Sequence, residues 1–476
     1  MVAQSTIFWF RRDLRLHDHP ALQAAIDDAG EGSVLPLFVV DPALFDHAGP
    51  ARRAFLLSCL EQLNRDLDGK LVLRFGQPVQ EVPKLAEEIG ARSVFVTADA
   101  TPNGVRRDEG VATALSQAGR QLVQVGSCYL NPPGSIRTGS GGRYKVFTPY
   151  WNVASTLPVS PPLGRSRGTW STAHSSVALE EVARRPLIVH PVVELVEAQA
   201  LQLLPDGGES AAHQRLQRFL SIVDTYDEQR DLPADDATSR LSVDLHFGTL
   251  HPRQIIHAIG QGTSGRRAFL RQLGWRDFYA DVLSANPDSA WNDLHPLGIA
   301  QDDDEGARQR FVRWATGMTG FPLVDAGMRQ LLSEGFLHNR VRMVAASFLV
   351  KDLHLPWQWG ARWFFHCLVD GDLASNSHGW QWVAGVGTDA SPYIRVFNPT
   401  LQAKRFDQDS TYVQRWVPEL QEGVPSSKGR RSTASFDQVL FGSTYPEPMV
   451  DHAVEREEAI RRLTRASISA KEGRST

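Results

Sequence analysis

The runs IFWF at 7–10, SVLPLFVV at 33–40, LVLRFG at 71–76, SVFVTAD at 93–99 and QLVQVG at 121–126 decide the fold of the first part of this chain. They are short and mostly apolar, carry β-branched or aromatic residues, and are bounded by polar turns. Between them lie helix-period stretches such as ARRAFLLSCLEQLNRDL (51–67) and PVQEVPKLAEEIG (78–90). This alternation predicts a Rossmann-like parallel α/β domain over residues 1–130, because parallel strands need a crossover and the crossover is usually a helix. Ligands of such sheets sit beyond the carboxyl ends of the strands, where Asp41 and Asp99 fall.

Beyond the sheet the composition changes. Residues 131–205 are rich in Gly, Pro, Ser and Arg (NPPGSIRTGSGGR at 131–143, LPVSPPLGRSRGTWS at 157–171) and read as a long irregular connector. From 206 to 467 the periodicity is helical, which predicts an all-α domain, followed by a short polar tail at 468–476. Nine of the twelve tryptophans lie after residue 270, so the two halves differ in character as well as in fold.

The 476 residues are 42% hydrophobic and 22% charged, the composition of an ordinary globular protein with room for a large core. No run reaches the ~18 apolar residues of a spanning helix. The opening MVAQSTIFWFRRDLRL lacks a signal-type cleavage region, so the expected location is the cytoplasm, without a membrane. Cys59, Cys128 and Cys367 are too few and too far apart for a disulfide framework or a four-ligand zinc site, and no metal is expected. Lys and Arg total 50 against 54 Asp and Glu, a formal charge of -4, which excludes nucleic-acid binding driven by overall charge. Any such contact must come from a local basic patch.

Several helical segments carry chemistry-bearing residues. RQLGWRDFYADVL (271–283) puts Gln272, Trp275 and Tyr279 on one face, with Arg276 as a counter-charge. That face is either a core aromatic with polar neighbours or a platform for a planar ligand or unstacked base. ATSRLS (237–242) offers the hydroxyls of Thr238, Ser239 and Ser242 beside Arg240 near a helix start, which suits either a phosphate or a plain N-cap. In HNRVRMVAASFLVKD (338–352), Asn339 and Met343 share one face and His338 and Arg342 another. VDGDLASNSHGWQW (369–382) packs Asp370, Asp372, Asn376, His378, Trp380 and Trp382 into a glycine-interrupted loop and helix start. Its carboxylates suit hydrogen bonding to a heterocycle as well as they suit a metal.

Read together, FWFRRDLRLHDHPAL, TSRLS, GWRDFY, GFPLVDAGMRQL, HNRVRMVAASFLVKDLHLPW, DGDLASNSHGWQW and GTDASPYIRVFNPTLQAKRFD, in this order, resemble the photolyase/cryptochrome family, and most nearly the class I cyclobutane pyrimidine dimer photolyases. The resemblance spans about residues 5 to 450. It implies an α/β antenna domain and an all-α domain that holds FAD, active in its reduced form, in a U shape. It implies that Tyr226 and Thr238, Ser239, Arg240, Leu241 and Ser242 grip the FAD phosphates, and that Asp370, Gly371 and Asp372 line the ring system. Asn376 would face flavin N5, where a neutral amide cannot exchange a proton as an Asp would. Arg342 and Asp370 would form an ion pair beside the ring. An electron chain is implied over Trp380, nearest the flavin, then Trp357, then Trp314 at the surface.

The same resemblance implies UV-damaged DNA as partner, bound by a monomer. Trp275 and Trp382 would stack on a flipped-out dimer, Asn339 and Met343 would line its pocket, and Arg230, Arg340, Gln402 and Lys404 would meet the phosphate backbone. The His338-Asn339 pair, where the (6-4) branch has two histidines, points to cyclobutane dimers. Gln272 stands where cyclobutane photolyases usually carry Glu, as in the (6-4) and animal cryptochrome branch. In the antenna domain Arg52 and Asp99 match positions of deazaflavin-binding relatives, while Gly104 replaces the folate-binding Glu after Asn103. An 8-hydroxy-5-deazaflavin is therefore expected over methenyltetrahydrofolate. The alternatives are a blue-light receptor that signals by flavin reduction, and (6-4) photoproduct repair. Receptors of this family often carry long polar C-terminal extensions, whereas this chain ends shortly after YPEPMVDH (445–452).

Overall fold

Strand β1 (Ser5–Phe10) is buried along nearly its whole length, because it lies at the centre of a five-stranded parallel sheet of order β3-β2-β1-β4-β5. The other strands are β2 (Ser33–Val40), β3 (Val72–Phe75), β4 (Ser93–Ala98) and β5 (Gln121–Ser127). Phe8 stands in register between Pro36 of β2 and Phe95 of β4. A strand covered on both faces needs apolar residues at every position, which is why the inner strands read as unbroken runs. The helices Pro20–Ala29 and Pro50–Asp66 bury Leu22, Phe55, Leu60 and Leu63 against Phe8, Phe10 and Phe38 on one side. On the other side Pro78–Glu88 and Pro102–Gln117 bury Val82, Leu85, Val111 and Leu115 against Ile7, Trp9, Leu35 and Leu37. All four helices begin on proline, whose missing N–H costs nothing in a first turn. The computed structural model describes residues 5–173, 175–196, 204–389, 395–421 and 445–472.

The interval expected to be an irregular connector is tied to both halves. Its helix Phe147–Ala154, hidden by the surrounding Gly, Pro and Ser, packs Phe147, Tyr150 and Ala154 on Phe278 and Val282 of the long helix Ser264–Ala285. Upstream, the buried carboxylates of Asp277 and Asp281 accept the backbone N–H groups of Asn131 (2.8 Å) and Gly134 (2.6 Å). Downstream, Arg165 and Trp170 form bridges with His17 and Val34, so this part of the chain runs along the sheet.

From Glu209 on, the described residues form helices and connecting loops with no strand. The largest core gathers Phe311, Trp314, Leu331, Val344, Phe348, Trp357, Phe364 and Trp380. The last helix, His452–Glu472, continues through the start of the segment expected to be a polar tail from 468, and that boundary is corrected accordingly. Residues 473–476 of that tail lie outside the described residues. The two halves meet closely. Gly248, at φ +69°, packs so tightly on the β1–helix loop that a Cβ would fall 2.0 Å from the Arg12 carbonyl oxygen. Only glycine fits both the left-handed backbone and that approach.

Candidate active site

Where the halves meet, the loop before the helix Leu373–Ala384 presents two carboxylates. Asp370 is buried and pairs with Arg342, whose Nη2 lies 3.2 Å from Oδ2 while its Nε donates to the Leu337 carbonyl at 2.6 Å. Asp372 is the N-cap, accepting the Ser375 N–H at 3.0 Å. Its other oxygen accepts from Nη2 of Arg12 at 2.9 Å, an ion pair across the domain boundary. Burial pushes the Asp372 carboxyl up, but the charges of Arg12 and Arg276 and the Ser375 N–H outweigh it and hold it below the usual carboxylate range. Arg12 was not singled out by sequence; it lies in the FRRDLRL stretch with nothing local to mark it. One turn into the helix, Asn376 is fixed by its Nδ2 donating to the Ala361 carbonyl at 2.9 Å. Gly379, three residues on along the same face, has open space where a Cβ would stand.

The hydroxyl-rich run lies at the start of the short helix Ser242–Phe247. The Ser239 hydroxyl accepts the Leu241 N–H at 3.2 Å, and Arg240, in the left-handed region at φ +51°, is held by Asp236 (2.8 Å) and Glu334 (3.1 Å). Arg240 is thus engaged by carboxylates, leaving Thr238, Ser239 and Ser242 to offer hydroxyls. Tyr226 is buried edge-on against Phe219 and Phe269. Charged groups held at fixed positions, a polar helix start and free space beside Asn376 and Gly379 fit a large flavin nucleotide.

Next to this lies an aromatic rim. Trp275 stacks on Phe147 with ring centroids 3.8 Å apart and 12° between planes, and Tyr279 packs 5.2 Å from Trp275. Trp382 donates its Nε1 to the Asp389 carbonyl at 3.1 Å, and the Asp389 carboxyl, pushed up by burial, is drawn back by the nearby backbone N–H of Phe147. The two tryptophans are therefore linked through Phe147, a residue of the interval read as a connector. Sequence reasoning missed Phe147 because its partners are distant in sequence. Asn339 is exposed and its Nδ2 lies 3.9 Å from the Met343 sulfur on the same helix face. Gln272 turns its amide back to the Ala268 carbonyl at 3.3 Å. Lys404 is exposed and Gln402 half-buried on the helix Pro399–Phe406, and Arg230 lies over the Tyr226 ring at 5.7 Å. Arg340 is held by Asp231 at 2.7 Å and lies over Phe406.

One assignment on this rim is corrected. Arg276 does not face a ligand beside Trp275: it donates to the carbonyls of Cys128 (3.0 Å) and Leu245 (2.9 Å). Successive residues on a helix point about 100° apart, so Arg276 cannot share the face of Trp275, and its charge serves Asp372 instead.

The segment 6–164 matches the family model described as DNA photolyase, and 269–465 matches that of the FAD binding domain of DNA photolyase. The chain is 41% identical over 458 residues to the deoxyribodipyrimidine photo-lyase of Streptomyces griseus, covering 94% of this chain and 96% of that one. The chain belongs to the DNA photolyase family. Its fold matches the crystal structure of a class III photolyase from Agrobacterium tumefaciens with a TM-score of 0.84 at 33% identity, over 98% of both chains. An archaeal photolyase from Sulfolobus tokodaii, solved with two FAD molecules, matches with a TM-score of 0.80 at 29% identity over 97% of this chain and 100% of that one. The chain thus carries a photolyase FAD-binding domain, and among its described residues no helix is long and apolar enough to cross a membrane.

Within that family frame the tryptophans require a second correction. Trp314 is not at the surface: it is fully buried, donates Nε1 to the Ala345 carbonyl at 3.0 Å and lies 6.1 Å from Trp380. The helix Glu305–Ala315 turns Ala307, Phe311 and Trp314 inward at steps of four and three, and this stripe carries the indole into the core. Phe364 lies beside both rings, 5.8 Å from Trp314 and 4.9 Å from Trp380. Trp357 is also fully buried, with Nε1 on Asp293 Oδ1 at 2.8 Å. Three residues further along that helix, Gly360 leaves the space that the six-membered ring of Trp380 fills.

The antenna residues Arg52 and Asp99 differ in their surroundings. Asp99 lies just beyond β4, accepts from Thr101 at 2.9 Å and pairs with Arg107 at 3.2 Å. A side chain at Gly104 would collide with it, which accounts for glycine there. Arg52 instead reaches across the boundary, donating to the Phe365 carbonyl, lying 4.1 Å over the Phe365 ring and touching the space beside Gly371. It is corrected from an antenna residue to a support of the Asp370–Asp372 loop, and no hydrogen bond or ion pair joins it to Asp99 among the described residues.

Proposed function

We propose that the protein is a light-driven lyase that splits cyclobutane pyrimidine dimers in UV-damaged DNA, single- or double-stranded, and acts as a monomer. The observation that carries this reading is the aromatic rim of Trp275 and Trp382, joined through Phe147 and Asp389, in a chain that matches photolyases over almost its full length. When bound, reduced FAD would supply the light-driven electron donor for splitting the dimer, with no net redox change.

The chain's own residues then have separate tasks. Arg342 with Asp370 and Arg12 with Asp372 hold fixed charge beside the ring system, which costs no reorganisation at the moment of reaction. Asn376, a neutral amide, keeps a titratable carboxyl away from N5. Thr238, Ser239 and Ser242 meet the phosphates, beside Tyr226. Trp275 and Trp382 stack on the extruded dimer, exchanging an unstacking cost of a few kcal/mol for contact with indole. Asn339 and Met343 line the pocket, while Arg230, Lys404 and Gln402 track the DNA backbone, which makes binding salt-sensitive despite the charge of -4. Trp380, Trp357 and Trp314, all buried, relay electrons that restore the reduced cofactor. Asp99, at the end of β4, would contact a second chromophore, 8-hydroxy-5-deazaflavin, which would supply light harvesting.

Gln272 can donate and accept but brings no charge, so it holds the dimer less firmly than Glu would. Gln272→Glu is expected to tighten dimer binding several-fold; unchanged affinity and repair yield would remove that role. The deciding experiment is light-dependent repair of an oligonucleotide with one thymine cyclobutane dimer, using photoreduced protein, a dark control and a (6-4) substrate in parallel. Repair of the first alone establishes the reading. Repair of neither, with the flavin still photoreducible, points to a light receptor.

A further inference from the structure

We propose that His17, Glu209 and His213 form a site for one divalent transition-metal ion of the zinc type at the seam between the two halves. Sequence reasoning weighed metal only through cysteine and aspartate patterns, and these three residues are distant in sequence, apart from the i, i+4 pair on the helix Glu209–Leu220. In the fold their ligand atoms all lie within 4.8 Å of one another. Nδ1 of His17 is 3.0 Å from Oε1 of Glu209, and Nε2 of His213 is 3.9 Å from the same oxygen. The imidazoles stand edge to face, 5.8 Å apart.

Glu209 already has a structural task. Its buried carboxylate accepts the backbone N–H groups of Leu16 and His17, each at 3.0 Å, and so fastens the loop after β1 to the first turn of the helix. That task is complete without His213. Yet His213 aims Nε2 at this carboxylate from beyond hydrogen-bond distance, and no hydrogen bond holds it among the described residues. A shared ion explains the convergence. With metal–ligand bonds of about 2.0–2.2 Å, ligand atoms on one ion lie roughly 3–4 Å apart, so a small rotation of the half-exposed His213 completes the set. Binding replaces the His17–Glu209 side-chain contact, while Oε1 keeps its backbone N–H. Two imidazoles and one carboxylate select zinc, cobalt or nickel over magnesium or calcium, which prefer all-oxygen sets. Both imidazoles are more than a third exposed, leaving an open side for water.

The test uses flavin-loaded protein stripped with a chelator, then titrated with Zn2+ by calorimetry, with Co2+ absorption as a second readout and Mg2+ as control. The expected result is one Zn2+ per chain, a rise in Tm, visible Co2+ bands and no response to Mg2+. His213→Ala leaves the Glu209 clasp intact; it should weaken Zn2+ binding by more than about 100-fold and remove the Tm rise. His17→Ala should do the same. Substoichiometric uptake by the unaltered protein, or the same affinity in His213→Ala, overturns the site.

Discussion

Two carboxylates near the domain boundary, Asp99 and Asp372, are buried in different ways. Asp99 is paired from within its own layer, by Arg107 eight residues further on, and feels Arg11 and Arg12 of the same domain. Asp372 draws its ion pair from Arg12, which belongs to the other half of the molecule. The setting of Asp99 is therefore a property of the α/β domain alone, whereas the Asp370–Asp372 loop acquires its charge balance only when the two halves dock. Arg52 repeats the pattern: it begins in the sheet layer and ends against Phe365 and Gly371. Docking of the two halves and the charge balance of this loop are thereby coupled.

The strongest way to break this contrast is Arg12→Ala. It leaves Asp372 partly buried without its guanidinium, at a cost of about 3 kcal/mol, and the expected outcome is protein purified with little flavin, read from the absorbance ratio at 450 and 280 nm, with a lower Tm. Full flavin content would show that the α/β half contributes no necessary charge. Trp380→Phe should slow photoreduction of oxidised flavin by at least about 10-fold, a change of 1.4 kcal/mol or more in barrier, in transient absorption. Trp314→Phe sharpens the picture, because a buried indole 6.1 Å from Trp380 should matter even without surface access. If only Trp357→Phe slows the reaction, Trp314 is core packing.

Asp99→Asn should cost about 1 kcal/mol, since Asp108 remains to pair with Arg107, and should leave flavin content and dimer repair unchanged while weakening the second chromophore. A loss of flavin from this variant would erase the distinction between the sites. A further effect concerns the connector. Burial raises the Asp277 carboxyl to about 6, against the opposing pull of Arg276 and Asn131. A folded-state pKa above the unfolded value stabilises the fold at low pH and loses that contribution as pH rises from about 4 through 6. Thermal stability measured between pH 5 and 8 should therefore carry a falling component that Asp277→Asn removes; the same slope in both proteins would discount it.

The clustering of the candidate residues was legible in advance because they fall in short contiguous motifs. DGDLASNSHGWQW holds Asp370, Asp372, Asn376, Trp380 and Trp382 within one turn and one helix, and local geometry alone brings them near each other. The misplacements have a common cause. Arg276, Arg52 and Trp314 were assigned by position in a motif, but the direction of a long side chain is chosen by what packs against it, and those partners, Cys128, Phe365 and Ala345, lie elsewhere in the sequence.

The sequence by itself determined the parallel sheet, the helical second half and the family, because hydrophobic period and motif spacing are local and survive without knowledge of contacts. Only the tertiary structure decided that Arg12 pairs with Asp372, that Phe147 stacks on Trp275, that Trp314 is buried and that His17 meets Glu209 and His213. Each of these joins residues from separate elements, and such pairs are fixed by how whole layers dock, a property that no window of sequence contains.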